Sequence, residues 1–261
     1  MSESARAHTM MAIDVGNTHT VIGLFDGPRL DRHWRVVTAA ERTADEFGIL
    51  MWNLFHAADI PEPKVDGIIV SCVVPPLLSV VEELCRNYFG VDPLVVGPGI
   101  KTGMPVLYEN PYEVGADRIV NAVAAYERAG KACIVVDFGT ATTFDYVSAR
   151  GEYVGGVIVP GIGISLDALY SRTAKLQRVE LLRPARVVGR NTVNAIQAGV
   201  TYGYVELVDG LVRQIEQQEG VEAHVLATGG LAPLIAKDSS TIHEVDEFLT
   251  LDGLRLVYER N

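Results

Sequence analysis

The sequence predicts an α/β protein built from two similar lobes that face each other across a cleft. Three observations predict it: a polar, glycine-containing turn inside a strand-like run at Ala12–Gly27, a partial copy of that pattern at Ala132–Val147, and alternating helical and strand-like segments after each copy. The chain has 261 residues, 48% of them hydrophobic, enough for one large core or two modest ones.

The elements follow in order. "MAIDVGNT", "HTVIGLFDG" and "RLDRHWRVVTA" read as three antiparallel strands, the first pair joined through the polar turn and the second through Asp26-Gly27, a dipeptide that favours tight turns. "TADEFGILMWNLFHAADI" has acidic residues in its first turn, apolar residues at helical spacing and Pro61 and Pro63 beyond it, and so predicts a helix. "VDGIIVSCVV" is a continuous apolar run, as in a strand covered on both faces; "PPLLSVVEELCRNYFG" opens on prolines and stops at Gly90, as a helix does; "DPLVVG" is a further strand. The second half repeats the opening: "ACIVVDFGTATTFDYV" is strand, Gly-Thr turn and strand, with "GEYVGGVIVPG" as the third strand. Helices are then expected at "ISLDALYSRTAKL", "TVNAIQAGVTYGYVELVDGLVRQIEQQEG" and "LTLDGLRLVYER", with "AHVLATGG" as a buried strand ending in paired glycines. No low-complexity linker divides the halves, and the boundary is expected inside the helical "PYEVGADRIVNAVAAYERAG", giving lobes 11–125 and 126–261 after a lead-in of residues 1–10.

Charge and composition exclude several classes. A formal net charge of -11 argues against non-specific nucleic-acid binding, which needs Lys and Arg to replace phosphate counterions. ATP can still bind such a protein through backbone amides and a metal. Cys72, Cys85 and Cys133 form no CxxC pair and are odd in number, so neither a disulfide framework nor a zinc site is indicated, and a reducing cytoplasm is the expected compartment. No apolar run approaches the roughly 18–20 residues needed to span a bilayer, and "MSESARAHTM" has no apolar core of a secretory signal.

The first turn can point several backbone N–H groups at a phosphate, because Gly16 lets the backbone approach closely, while Asp14 can orient hydrated Mg²⁺. Alone, it fits a plain hairpin equally well. The second turn, with Asp137, Gly139 and Thr140, would give the same phosphates a second hand; read singly, Thr140 is a turn hydroxyl and Asp137 a satisfied buried acid. In "NPYEVGADR", Asn110 can cap, Pro111 suits a first helical position, and Asp117 and Arg118 then fall near the second turn of that helix. A carboxylate there can take the proton of a hydroxyl attacking a phosphoryl group, although "DR" by itself also reads as a surface ion pair.

"DVGNTHTV" (Asp14 to Val21), "GADR" (Gly115 to Arg118), "DFGTATT" (Asp137 to Thr143), "GGVIVPG" (Gly155 to Gly161) and "ATGG" (Ala227 to Gly230) occur in an order and spacing that resembles the type III pantothenate kinases, from Met11 to near the end of the chain. That family belongs to the superfamily of acetate and sugar kinases, heat-shock chaperones and actin, so the resemblance implies two duplicated ribonuclease-H-like lobes. It implies that Asp14, Val15, Gly16, Asn17, Thr18, His19, Thr20, Val21 and Thr140 bind ATP, with Asp14 acting on Mg²⁺. It further implies that Asp137 helps hold a monovalent cation, K⁺ or NH₄⁺, and that Asp117 is the proton acceptor. Gly115, Ala116, Asp117 and Arg118, with Tyr108 and Thr192, would touch pantothenate. Read without the resemblance, Tyr108 is a half-buried tyrosine with a wet hydroxyl and Thr192 a helix N-cap. "VLATGG" would let an adenine ring lie near the backbone, or is simply a strand and turn. "GGVIVPGIGISL" is glycine-rich, ends at Ser165 before a helix, and shapes the cleft without a catalytic role.

The function so implied is ATP-dependent phosphorylation of pantothenate to 4′-phosphopantothenate, the opening step of coenzyme A synthesis, by a homodimer with a face on the helix from about Thr192 to Gln218. Two alternatives stay open. One is a kinase of the same superfamily with another small hydroxyl or carboxylate substrate; the other is a non-catalytic ATP-binding regulator, against which the acidic charge and an intact Asp117 weigh.

Overall fold

The computed structural model describes residues 9–60 and 64–261. It divides into two compact units, one comprising the described part of Met1–Gly103 with Asn110–Val123 and Thr250–Asn261, the other Met104–Glu109 with Ala124–Leu249.

In the first unit, β1 (Thr9–Val15), β2 (His19–Asp26) and β3 (Arg29–Val37) pair antiparallel, and β4 (Gly67–Cys72) and β5 (Leu94–Val95) add in parallel, giving the order β3-β2-β1-β4-β5. The expected lead-in is shorter than residues 1–10. Thr9 and Met10 extend β1, opposite Asp26 and Phe25, because Met10 is apolar and the partner strand reaches that far. Residues 1–8, and the expected helix stop at Pro61 and Pro63, lie outside the described residues.

Helix α1 (Ala44–Ala57) starts in a capping box: Thr43 Oγ1 accepts from Glu46 N at 3.2 Å, and Glu46 Oε2 accepts from Thr43 N at 2.9 Å. It packs Phe47, Met51 and Phe55 with Leu77, Val81 and Leu84 of α2 (Pro75–Leu84) onto Met11, Ile13, Val15, Ile68 and Val70. A π-helical turn, Cys85–Phe89, continues α2 to Gly90, whose φ of 67° ends it in the left-handed conformation the sequence anticipates. On the other side of the chain, α3 (Ala116–Ala129) and α7 (Leu249–Glu259) cross at Gly253, where a Cβ would overlap the Val120 carbonyl; Leu251 reaches Gly23 of β2. These contacts draw residues 250–261 into the first unit, unlike the expected division at 125/126.

The second unit has the same wiring. Strands β6 (Cys133–Phe138), β7 (Ala141–Val147) and β8 (Tyr153–Pro160) pair antiparallel, and β9 (His224–Thr228) and β10 (Glu244–Val245) add in parallel, in the order β10-β9-β6-β7-β8. The core packs Ile134, Val136, Phe138, Phe144, Val225 and Ala227 against Ile162 and Leu166 of α4 (Ile162–Arg172), Val205, Val208 and Val212 of α5 (Thr192–Glu219) and Ile235 of α6 (Ala232–Ala236). The duplication therefore extends from the turn motif to the whole five-stranded sheet. Helix α4 begins at Ile162, before the expected Ser165, because β8 ends at Pro160 and Gly161 serves as N-cap.

Candidate active site

The register of the two sheets fixes equivalent positions. Asp14 pairs with Val21 on one side and Ser71 on the other, and Asp137 with Thr143 and Thr228 in the same arrangement. Each acid thus ends the central strand of its sheet beside a buried hydroxyl on the parallel neighbour, Ser71 at 0% exposure and Thr228 at 2%. Ser71 Oγ has no hydrogen-bond partner among the described residues, so the site beside Asp14 carries an unused polar atom able to hold water.

The first hairpin closes at Val15–Thr20 and the second at Phe138–Thr142. Gly16 N donates to His19 O at 3.1 Å, and a Cβ at Gly16 would lie only 3.0 Å from that oxygen. Thr38, just beyond β3, braces this turn: its Oγ1 donates to Gly16 O at 2.7 Å and lies 2.9 Å from Thr20 Oγ1, while its N–H donates to Thr18 O at 3.0 Å. The tip, Asn17 to His19, is exposed, and Val21 continues into β2. In the second turn Gly139 N donates to Ala141 O at 3.0 Å and Gly161 N to Thr140 O at 3.0 Å, leaving Thr140 exposed. A Cβ at Gly161 would overlap Thr140 O and lie 2.5 Å from Gly139 O. Gly229, at φ 90°, would place a Cβ 2.8 Å from Asp137 Oδ1, so the glycine of "ATGG" makes room for the acid's carboxyl group.

"NPYEVGADR" folds differently from the expected single helix. Asn110 does cap, accepting from Tyr112 N at 3.3 Å, but it caps a 3-10 turn, Pro111–Glu113. Val114 is extended, and α3 starts only at Ala116. Asp117 consequently sits in the first helical turn, where the exposed amide ends favour a carboxylate. Its Oδ1 accepts from Arg118 N at 2.8 Å, and Gly115 is required there, since a Cβ would lie 2.5 Å from Asp117 Oδ1. That Cβ position is also 3.8 Å from Val73 Cγ1, and Val73 N donates to Val15 O at 3.0 Å. Gly115 to Arg118 and the first turn therefore lie at one end of the first unit's sheet. Burial pushes the Asp117 carboxyl above the usual carboxylate range, with the Arg118 N–H and guanidinium pulling the other way.

Tyr108, in the second unit, lies over Gly155, whose Cβ position is 3.7 Å from the ring, and beside Tyr153 at 6.4 Å between centroids. Thr192 is the first residue of α5 and not its cap; Asn191 Oδ1 caps by accepting from Asn194 N at 2.8 Å. An open, mostly apolar cavity of about 610 Å³ lies at that helix start, lined by Leu169, Leu176, Arg190, Thr192 and Ile196 among others. Among the described residues, no group of three or more His, Cys, Asp or Glu side chains could hold a metal, and no helix is long and apolar enough to cross a membrane.

The sequence pattern of a family described as type III pantothenate kinase matches residues 10–214. The chain belongs to the type III pantothenate kinase family. It is 58% identical over 252 residues to the type III pantothenate kinase of Pelobacter propionicus, covering 97% of this chain and 99% of that one, and 58% identical to the enzyme of Myxococcus xanthus with 97% and 98% covered. Among solved structures it is similar to a proposed Baf family transcriptional activator from Campylobacter jejuni (TM-score 0.61, 19% identity, 96% and 98% covered). It is also similar to component A of the Acidaminococcus fermentans (R)-2-hydroxyglutaryl-CoA dehydratase (TM-score 0.56, 11% identity, 97% of each chain). At those identities the two structures show the fold alone. For a type III pantothenate kinase, sequence reasoning missed three supports of the site, Thr38, Ser71 and the 3-10 turn, none of which has a motif of its own, while Gly161 closes the quoted "GGVIVPG" and only its contact with the second turn was missed.

Proposed function

We infer that this chain transfers the γ-phosphoryl group of ATP to the primary hydroxyl of pantothenate, giving 4′-phosphopantothenate and ADP and opening coenzyme A synthesis. The observation that carries the reading is Asp117: a partly buried carboxylate with a raised proton affinity, in the first turn of α3, at the same sheet end as the glycine turn of the first unit. A base poised nearer neutrality than an ordinary aspartate takes the hydroxyl proton as the oxygen attacks the γ-phosphorus. Arg118, Gly115, Ala116, Tyr108 and Thr192 are the pantothenate contacts of this reading. Asp14, Val15, Gly16, Asn17, Thr18, His19, Thr20, Val21 and Thr140 are its ATP contacts.

Asp14 with Ser71 fits a hydrated Mg²⁺, since that ion keeps several waters and takes one or two carboxylates plus substrate phosphates rather than a full protein cage. Mg²⁺ would offset charge on the phosphates. Asp137, with its carboxyl against Gly229, fits a monovalent cation, K⁺ or NH₄⁺. The enzyme works as a cytoplasmic homodimer without nucleic-acid or membrane partners, in keeping with its net charge of -11.

The test is ADP release from ATP and Mg²⁺ with pantothenate, glucose, glycerol or acetate, in K⁺ and in Na⁺ buffers. Turnover with pantothenate alone, faster in K⁺, is expected; equal turnover with another acceptor would overturn the substrate. Light scattering on the eluting protein gives twice the chain mass if the dimer is right.

A further inference from the structure

The face of the second sheet opposite its core carries a buried polar pair that no step above uses. Asp145, in the middle of β7, and Tyr153, which opens β8, are both at 0% exposure. Tyr153 Oη donates to Asp145 Oδ1 at 2.6 Å, and Thr143 Oγ1 donates to Oδ2 at 3.2 Å. Both oxygens of this buried carboxyl group thus accept from hydroxyl groups of its own sheet. Burying a carboxyl group here is costly compared with an apolar residue, so the pair needs a return beyond packing.

Tyr153 supplies one through its other contacts. Its N–H donates to Pro105 O at 2.8 Å, and its carbonyl accepts from Leu107 N at 2.8 Å, which binds the 105–107 backbone to the start of β8 as a short parallel bridge. Its ring lies 6.4 Å from that of Tyr108 between centroids, and Tyr108 also meets Gly155, whose Cβ position is 3.7 Å from its ring. The segment Met104–Glu109 is a brief excursion into the second unit, flanked on both sides by residues of the first. Tyr153 thus meets this segment by backbone and ring, and its bond to Asp145 restrains the side-chain torsions that set the direction of that ring.

We propose that Asp145 and Tyr153 are positioning residues for pantothenate: Asp145 aims Tyr153, and Tyr153 sets the placement of Tyr108. The proposal rests on the reading of Tyr108 as a substrate contact. Neither residue touches the reacting atoms.

Steady-state kinetics on the full chain with both substrates varied test it, using Tyr153→Phe, which keeps the ring and loses the hydroxyl, and Tyr108→Ala. Tyr153→Phe should raise KM for pantothenate about tenfold, the effect of losing one hydrogen bond that orders a binding group. KM for ATP and kcat should stay within about twofold, a split that general loosening of the fold would not produce. In the Tyr108→Ala background the same change should have no further effect, as for residues acting in series. Asp145→Asn, which keeps an acceptor oxygen, should raise KM for pantothenate less than Asp145→Leu. If Tyr108→Ala leaves KM for pantothenate unchanged, the reading of Tyr108 is wrong and the proposal goes with it. If Tyr108→Ala raises it but Tyr153→Phe does not, or Tyr153→Phe acts in full on the Tyr108→Ala background, the reading stands and the proposal is overturned.

Discussion

Replacing Asp117 by Asn should move activity and stability in opposite directions. Asn keeps the size and the oxygen that accepts from Arg118 N at 2.8 Å, so the start of α3 is preserved. It cannot take a proton. Loss of a positioned general base lowers kcat by about 10²–10⁴-fold, or about 2.7–5.5 kcal/mol at 1.36 kcal/mol per decade. The stability effect follows from burial, which raises the Asp117 carboxyl above its unfolded value. The native state therefore binds this proton more tightly than the unfolded state, and the wild type loses stability as pH rises through the folded value. At pH 7 the desolvated carboxylate is a liability that Asn removes, worth about 0.5–2 kcal/mol, the range common for single stabilising substitutions. For units of this size that is a rise in Tm of about 2–4 °C per kcal/mol. The gap should narrow as pH falls through the folded value toward the unfolded one near about 4. Differential scanning calorimetry from pH 4 to 8 with pantothenate-dependent ADP release reads both quantities. Full kcat in the variant would sink the base assignment; a lower Tm at pH 7, or a gap that widens on acidification, would refute the desolvation account.

Other outcomes follow from single contacts. Gly161→Ala forces a methyl onto Thr140 O and Gly139 O, both backbone atoms, and should lower stability by about 1–3 kcal/mol with a rise in KM for ATP, read by urea melts and kinetics. Thr38→Val removes the 2.7 Å bond to Gly16 O, so KM for ATP should rise several-fold while KM for pantothenate does not move. Burial pushes the Asp209 carboxyl up, but bonds from Ser239, Ser240 and Thr241 together hold it below the usual carboxylate range. Its stabilisation is present above the unfolded value and lost as pH falls through the folded one. Asp209→Asn should therefore cost about 1–3 kcal/mol at pH 7 and little at the acid end of a melting series.

The parts of the fold with a period were legible in the sequence. Alternation around "DVGNT" and "DFGTA" gave both hairpins, and the long spacing after Thr192 gave α5 to its end at Gly220. Two short elements were not: β10 has two residues and α6 five, too few for any periodicity to register, whereas the equally short β5 was marked by the apolar "LVV" between Pro93 and Gly97. Asn110-Pro111 predicted a helix start and delivered a 3-10 turn, because Val114 turns extended and the long helix needs Gly115 to clear the Asp117 carboxyl. The catalytic candidates were visible because their residue types are unusual in apolar surroundings. Their brace Thr38 was hidden because it meets its turn only through tertiary contacts, and Gly161, visible as the end of "GGVIVPG", gave no sign of the turn it packs on.

Helix α7 has a consequence for how the chain is made. The path runs from the first unit to the second and back, twice, and the first unit lacks Leu251, Gly253 and Leu254 until residues 250–261 are present. A polypeptide emerging from the ribosome cannot seal its earliest sheet early, whereas Ala124–Leu249 contains nearly all of the second unit in one stretch. The half synthesised later is thus the half that can mature first, and the opening hairpin with its glycine turn waits, partly uncovered, for the last three turns of helix.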